Sequence, residues 1–198
     1  MNPKRIAMGR EIVRFEGRYK DKKLQIYYLP VGDGGGAFEI AGINDRYHPE
    51  KASELRDLIE QGQHTEAEDA AAAYIEQYTR PVLKFFPSPE AAEANPAIEF
   101  VLRDCCFNRG LKGAATILQI ALNVDIDGIV GENTREEFGQ QLSDPGAHSV
   151  LEEITEARET YERNSYPWKT GKRDEKSKFW KGLNNRWARA HTKAQNFA

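Results

Sequence analysis

Strand-forming sequence is confined to one short stretch of this chain, and that restricts it to a mostly helical fold. Leu24-Gln25-Ile26-Tyr27-Tyr28-Leu29 is β-branched and aromatic, and Pro30-Val31-Gly32-Asp33-Gly34-Gly35-Gly36 follows it as a turn. Ala37 to Ile43 reads as the returning strand. Elsewhere apolar residues recur at helical spacing. A first helix is expected from about Arg5 to Gly17, with Ile6, Met8, Ile12, Val13 and Phe15 as its apolar residues and Gly17 as its terminator. Pro49 suits the first position of a helix reaching about Gln61. Thr65 and Glu68 make a capping box ahead of Ala70 to Tyr78. Pro81, Pro87, Pro89 and Pro96 break residues 80–96 into short pieces. An apolar helix from Ala97 to Phe107 meets Asn108-Arg109-Gly110, and a second runs from Leu111 to Leu122. After the loop Asn123 to Gly131, helices are expected over Glu132 to Leu142, at about 148–164 and at about 174–193.

The chain has 198 residues, of which 39% are apolar. A domain of this size buries roughly 70% of its unfolded surface, so it needs no disulfide or metal to hold it. Cys105 and Cys106 are adjacent and form no disulfide framework. No stretch reaches the roughly 18 apolar residues of a membrane helix. The first residues carry bases but no apolar run, so no secretory signal is read there. The net charge of −3 hides an asymmetry. Residues 168–198 hold nine Lys and Arg against two acids, a charge of +7, and the first 167 residues carry −10. A solvated helix face is the commoner reading of such a tail. The other is an anionic partner: nucleic acid, membrane surface or cell-wall polymer. The acidic body argues against extended nucleic-acid contact.

His48, His64, His148 and His191 form no metal-binding pair, and the cysteines lack ligand spacing. No P-loop and no G-x-S-x-G is present. Asp125-Ile126-Asp127-Gly128 starts like a calcium loop, but its glycine falls too early, and a turn is the better reading. Carboxylate chemistry remains. Glycoside hydrolysis needs a protonated acid beside the leaving oxygen and usually a second carboxylate across the sugar. Glu16 shares a helix face with Ile12, Val13 and Tyr19, an apolar setting that favours the protonated form. Asp33, in a polar glycine-rich loop, suits the ionised partner. On residue type alone, a helix-end carboxylate and an Asx turn are the commoner readings of the two.

The order of motifs shifts that balance. Phe15-Glu16-Gly17-Arg18-Tyr19 resembles the E-G-G-Y motif of glycoside hydrolase family 108, the N-acetylmuramidases found as phage endolysins and secretion-associated enzymes. Asp33-Gly34-Gly35-Gly36 and Ala41-Gly42-Ile43 follow in the family's order. The second half is similar to the peptidoglycan-binding domain that accompanies the family. Asp104, Asn108 and Gly110 match D-x-x-x-N-x-G. Leu118, Gln119 and Leu122 match L-Q-x-x-L. Asp127, Gly128, Gly131 and Thr134 match D-G-x-x-G-x-x-T. Phe179, Gly182 and Arg186 match F-x-x-G-W-x-x-R, with Leu183 at the Trp place. The likeness spans about residues 8–190.

The resemblance implies an α+β fold, mostly α and lysozyme-like, with a small β-hairpin region near the N-terminus and a C-terminal helical bundle. It implies a muramidase domain over 1–96 and a helical peptidoglycan-binding domain over 97–198, packed as one unit. The reaction implied is cleavage of the β-1,4 bond between N-acetylmuramic acid and N-acetylglucosamine, with Glu16 as general acid and Asp33 as its partner. No cofactor or metal is expected. The expected partner is bacterial peptidoglycan, not nucleic acid or a membrane that the chain crosses, and action on the wall would follow release or delivery from the cytoplasm. Phe38 stands where the family has a threonine, so Glu39, Asn44 or another polar side chain is expected to position water. Tyr19 and Tyr47 are expected to contact sugar, and Asn108 either to contact the glycan or to cap a helix end. Arg18 replaces a glycine and would be strained if that position needed a positive φ. Trp168, Trp180 and Trp187 are read as core anchors. The tail's Lys and Arg are expected to form an outward face. A lytic transglycosylase and a non-catalytic binding component are the rival readings.

Overall fold

The computed structural model describes residues 2–30, 36–143 and 150–198. The chain divides into two compact units, Met1–Tyr78 and Thr79–Ala198, earlier in the sequence than the 96/97 boundary suggested by the motifs. The described residues are mostly helical, with two small antiparallel sheets in the first unit.

Helix α1, Pro3–Glu16, starts at Asn2, whose side chain accepts the Lys4 N–H at 2.9 Å. It buries Met8, Gly9, Ile12 and Val13. Gly17 ends it in extended conformation (φ −68°, ψ 145°), its N–H donating to the Val13 carbonyl. Glycine is required here by space rather than by a left-handed turn. A Cβ would lie 2.8 Å from Leu24 Cδ1, Tyr19 Cε2 and the Val13 carbonyl oxygen.

The expected single strand from Leu24 to Leu29 is cut in two. Strand β1, Arg18–Lys20, pairs with β2, Lys23–Gln25, through a turn in which Asp21 and Lys22 both have positive φ. Strand β3, Tyr27–Tyr28, pairs instead with β4, Phe38–Ile40, and β4 pairs with β5, Ile43–Asn44. The returning strand is therefore itself a hairpin, turned at Ala41 and Gly42, again both at positive φ. Two central residues at positive φ match the twist of a tight hairpin. Neither turn carries the Asn-Gly or Asp-Gly signal that would have announced it. Most of the expected Pro30 to Gly36 turn lies outside the described residues.

Helix α2, Pro49–Glu60, packs on β4 and β5 through Ala52, Leu55 and Ile59, and Arg56 lies over the Phe38 ring at 5.1 Å. Helix α3, His64–Thr79, begins before the expected capping box, so Thr65 lies inside the first turn. Glu68 is drawn to Arg14 and Tyr19 instead. Helices α1 and α3 approach closely: a Cβ on Gly9 would sit 2.4 Å from the Ala72 carbonyl oxygen.

In the second unit the prolines start helices. Pro81 opens a 3-10 segment, Arg80–Phe85, and Pro89 opens α4, Pro89–Ala94, capped by Ser88. Pro96 opens α5, Pro96–Leu122, which is broken at Gly110 (φ 71°, ψ 171°) as the Asn108-Arg109-Gly110 reading anticipated. Around α5 pack the 3-10 segment, α4, α6 (Glu132–Ser143), α7 (Val150–Arg163) and α9 (Lys178–Ala194). A short helix, α8 (Tyr166–Lys169), was not expected. Helix α9 begins at Lys178, after the expected start at about 174. Its cap is Ser177, which accepts the Trp180 N–H.

Candidate functional site

The first unit presents a row of polar and aromatic side chains on its three-stranded sheet. Tyr27 stands opposite Glu39, and Glu39 opposite Asn44. Directly paired residues project to the same face, so these three form one row. Phe38, Ile40 and Ile43 are buried on the other face, against α2. By this alternation the Phe38 ring belongs to the core and faces away from the row. Glu39 and Asn44, the two alternatives named from sequence, are on the open side and half-buried.

Glu16 is the last residue of α1, half-buried, one residue before the close packing at Gly17. Arg18 follows in β1 and is absent from the positive-φ residues, so it occupies its place without backbone strain. Its guanidinium lies 5.0 Å from the centre of the Tyr27 ring. That contact ties the chain just after Glu16 to one end of the Tyr27–Glu39–Asn44 row. The Tyr19 hydroxyl donates to Glu68. Burial, then the negative charge of Glu68, pushes its pKa up to about 12. Glu68 also faces Arg14 at 3.5 Å, and Arg14 donates to Glu11 at 2.7 Å. A charged network therefore braces the α1–β1 junction from the α3 side.

The far end of the row is held by turn hydrogen bonds. Asn44 Oδ1 accepts the Tyr47 N–H at 3.0 Å, which leaves the Tyr47 side chain 64% exposed. Asp45 Oδ1 accepts the N–H groups of Ala37 and Phe38. Gly36 (φ 105°) makes that possible, since a Cβ there would come within 2.0 Å of the same oxygen. Asp45 thus anchors the chain at Ala37 and Phe38, where β4 begins, and Asp33 lies outside the described residues.

Sequence reasoning missed Asp45, Glu68 and a ring cluster beside the row. His48 Nδ1 and the Tyr74 hydroxyl are 2.7 Å apart, and Tyr78 meets the His48 ring edge-on at 5.6 Å. Burial lowers the His48 pKa. The i, i+4 spacing of Tyr74 and Tyr78 on α3 was the available signal.

Asn108 belongs to the second unit, and its surroundings there give the motifs a structural meaning. Asp104, fully buried, takes Arg186 Nη2 at 2.7 Å on one oxygen and Arg158 Nη2 at 2.9 Å on the other. Arg158 also donates to Cys105 Sγ and the Val101 carbonyl. Burial alone would raise the Asp104 pKa, but the charges of Arg186 and Arg158 overcome it and hold the carboxyl below its usual range. Asn108, Arg109, Glu162 and Trp187 line the same small cavity, and Arg109 is ion-paired to Glu162. The D-x-x-x-N-x-G aspartate and the F-x-x-G-x-x-x-R arginine are thus partners across 82 residues.

A second pair of motifs closes in the same way. Gln119 Nε2 donates to Asp127 Oδ1 at 2.7 Å and to the Ile129 carbonyl, and its Oε1 accepts the Gly128 N–H at 2.8 Å. Gln119 therefore binds the neighbouring turn, and Asp127-Gly128 is that turn, with Gly128 at φ 76°. Among the described residues no three His, Cys, Asp or Glu side chains gather as a metal site. Trp180 and Trp187 are buried, and Trp168, Trp180 and Trp187 meet edge-on in series at 5.0 and 5.8 Å.

No protein-family model matches the chain, and no curated protein matches it.

Proposed function

We propose that the chain is a peptidoglycan hydrolase of the N-acetylmuramidase type on a lysozyme-like fold, with Glu16 as general acid. One observation carries this reading. Glu16 closes α1 and passes through the tightly packed Gly17 into the β1–β2 hairpin, whose Arg18 lies over the ring of Tyr27 in the neighbouring three-stranded sheet that also bears Glu39 and Asn44. Two pairs of motifs from the family resemblance also interact, Asp104 with Arg186 and Gln119 with Asp127.

In the proposed reaction Glu16 protonates the glycosidic oxygen as the bond to the anomeric carbon breaks. The sugar acquires oxocarbenium character, which a carboxylate across the ring stabilises. Asp33 is the candidate for that role. Glu39 and Asn44 are suited to orient the attacking water, because both are polar, neighbouring and fixed by strand pairing. The exposed ring of Tyr47 offers an apolar face to a pyranose.

Purified peptidoglycan incubated with the wild type and with Glu16→Gln tests the assignment by mass analysis of released fragments. The wild type is expected to release reducing muropeptides and the variant none, a loss of at least about 100-fold, the low end of general-acid contributions. Equal release by both proteins would remove Glu16 from the mechanism. Products ending in 1,6-anhydro sugar would identify a transglycosylase. Binding without release by the wild type would identify a non-catalytic module.

A further inference from the structure

The most basic segment of the chain is also the one that places rings outward. Between Tyr166 and Lys181 lie six Lys and Arg and two acids. One of the acids, Glu175, is ion-paired to Arg163. Lys169, Lys176 and Lys181 are exposed and make no salt bridge among the described residues. Tyr166 is 63% exposed and Phe179 50%. Behind them the segment is anchored: Trp180 and Trp187 are buried, Arg163 lies over Trp180 at 4.8 Å, and the Arg173 N–H donates to the Pro167 carbonyl.

We propose that this surface docks on an anionic lipid bilayer, with Tyr166 and Phe179 entering the headgroup region between the lysines. Charge complementarity selects an anionic partner. The rings distinguish a bilayer from a hydrated polymer. Lys172 Nζ lies 4.6 Å from the Tyr166 ring centre, and Arg173 and Lys178 lie 4.4 and 5.5 Å from that of Phe179. Cations thus stand directly beside both exposed rings. The combination of cation and aromatic edge is what the bilayer interface accepts, where rings partition at headgroup depth and Lys and Arg meet lipid phosphates. No helix among the described residues is long and apolar enough to cross a membrane, so the contact is peripheral. It is independent of the muramidase reading, because lipid vesicles contain no glycan.

Sedimentation with vesicles of phosphatidylethanolamine and phosphatidylglycerol, against vesicles of phosphatidylcholine alone, tests the proposal. Binding is expected only to the anionic vesicles. Lys172→Glu with Lys176→Glu should weaken it about tenfold or more, as expected for basic residues at a charged surface. Tyr166→Ser with Phe179→Ser should weaken it several-fold at unchanged charge. The same charge reversal at Lys4 and Lys20, in the other unit, should change it far less. Far-UV circular dichroism of each variant confirms folding. The proposal is overturned by equal binding to neutral vesicles, by indifference to the ring substitutions, by equal loss on reversal at Lys4 and Lys20, or by binding to isolated cell-wall polymer with none to vesicles.

Discussion

At the scale of single residues, small groups decide whether the candidate site can exist. Gly17 is a glycine for lack of room alone, since its φ is ordinary, whereas Gly36 has neither room for a Cβ nor a φ that other residues favour. Replacing Gly17 by alanine is expected to cost about 1–3 kcal/mol, the usual range for overpacking. The measurement is urea unfolding, and an unchanged midpoint would contradict the clash. Tyr19 supports a second expectation. With its pKa pushed up to about 12 by burial and Glu68, it should resist ionisation in a spectroscopic titration, and Glu68→Gln should bring it back toward 10. The sign for stability follows from the raised value. The contribution is complete below about 10, the unfolded pKa, and is lost as pH rises through about 12. Glu16 was legible in the sequence through its motif and its place at a helix end. The Glu39–Asn44 row was legible only as a pair of candidates, because strand register depends on which segments pair, and the pairing changes at Ile26.

At the scale of elements, turns and close crossings set the architecture of the first unit. Asp21 and Lys22 hold two successive positive φ values without glycine. A left-handed conformation costs an L-residue roughly 1–2 kcal/mol, so Lys22→Gly is expected to raise stability by up to about 1 kcal/mol after the loss of chain entropy. A lowered thermal midpoint would show that the Lys22 side chain contributes something else. The α1–α3 crossing makes the opposite prediction. Gly9→Ala brings a methyl group against the Ala72 carbonyl and should destabilise by about 2 kcal/mol. Helices were the more legible elements because their signals are local: prolines at first turns, serine caps and apolar spacing. Sequence pattern predicts one hairpin where the fold has a two-stranded and a three-stranded sheet. β-branched and aromatic composition marks a strand but does not reveal where its hydrogen-bond partners change.

At the scale of the whole molecule, buried charge and surface charge have different functions. Asp104 neutralises the buried Arg158 of α7 and the half-buried Arg186 of α9 against α5. Asp104→Asn leaves those charges uncompensated and should destabilise by about 3–5 kcal/mol, measurable by denaturant unfolding. Because the Asp104 carboxyl is held below its usual range, its contribution is present above about pH 4, the unfolded value, and is lost as pH falls through the folded value. An acid-unfolding midpoint unmoved by the substitution would show that Asp104 does not couple folding to protons. The surface charge divides differently, with +7 in residues 168–198 and −10 before them. Lys169 to Lys181 face solvent while Trp180 and Trp187 turn inward, so the basic tail is an anchored surface and not a loose arm.

The amino-acid sequence by itself determined that this protein is mostly helical, that the strands among its described residues lie within the first quarter, that α5 breaks at Gly110 and that Trp180 and Trp187 are buried anchors. Each depends on properties a residue carries with it: a fixed φ, a missing Cβ, a large apolar ring. Tertiary structure decided that Asp104 meets Arg186, that Gln119 is satisfied by the Asp127 turn, and that Glu39 and Asn44 share an open face while Phe38 is buried. These outcomes depend on which distant segment supplies the counter-charge, the hydrogen bond or the neighbouring strand. Such partners are selected by packing the chain as a whole, and no local pattern specifies them.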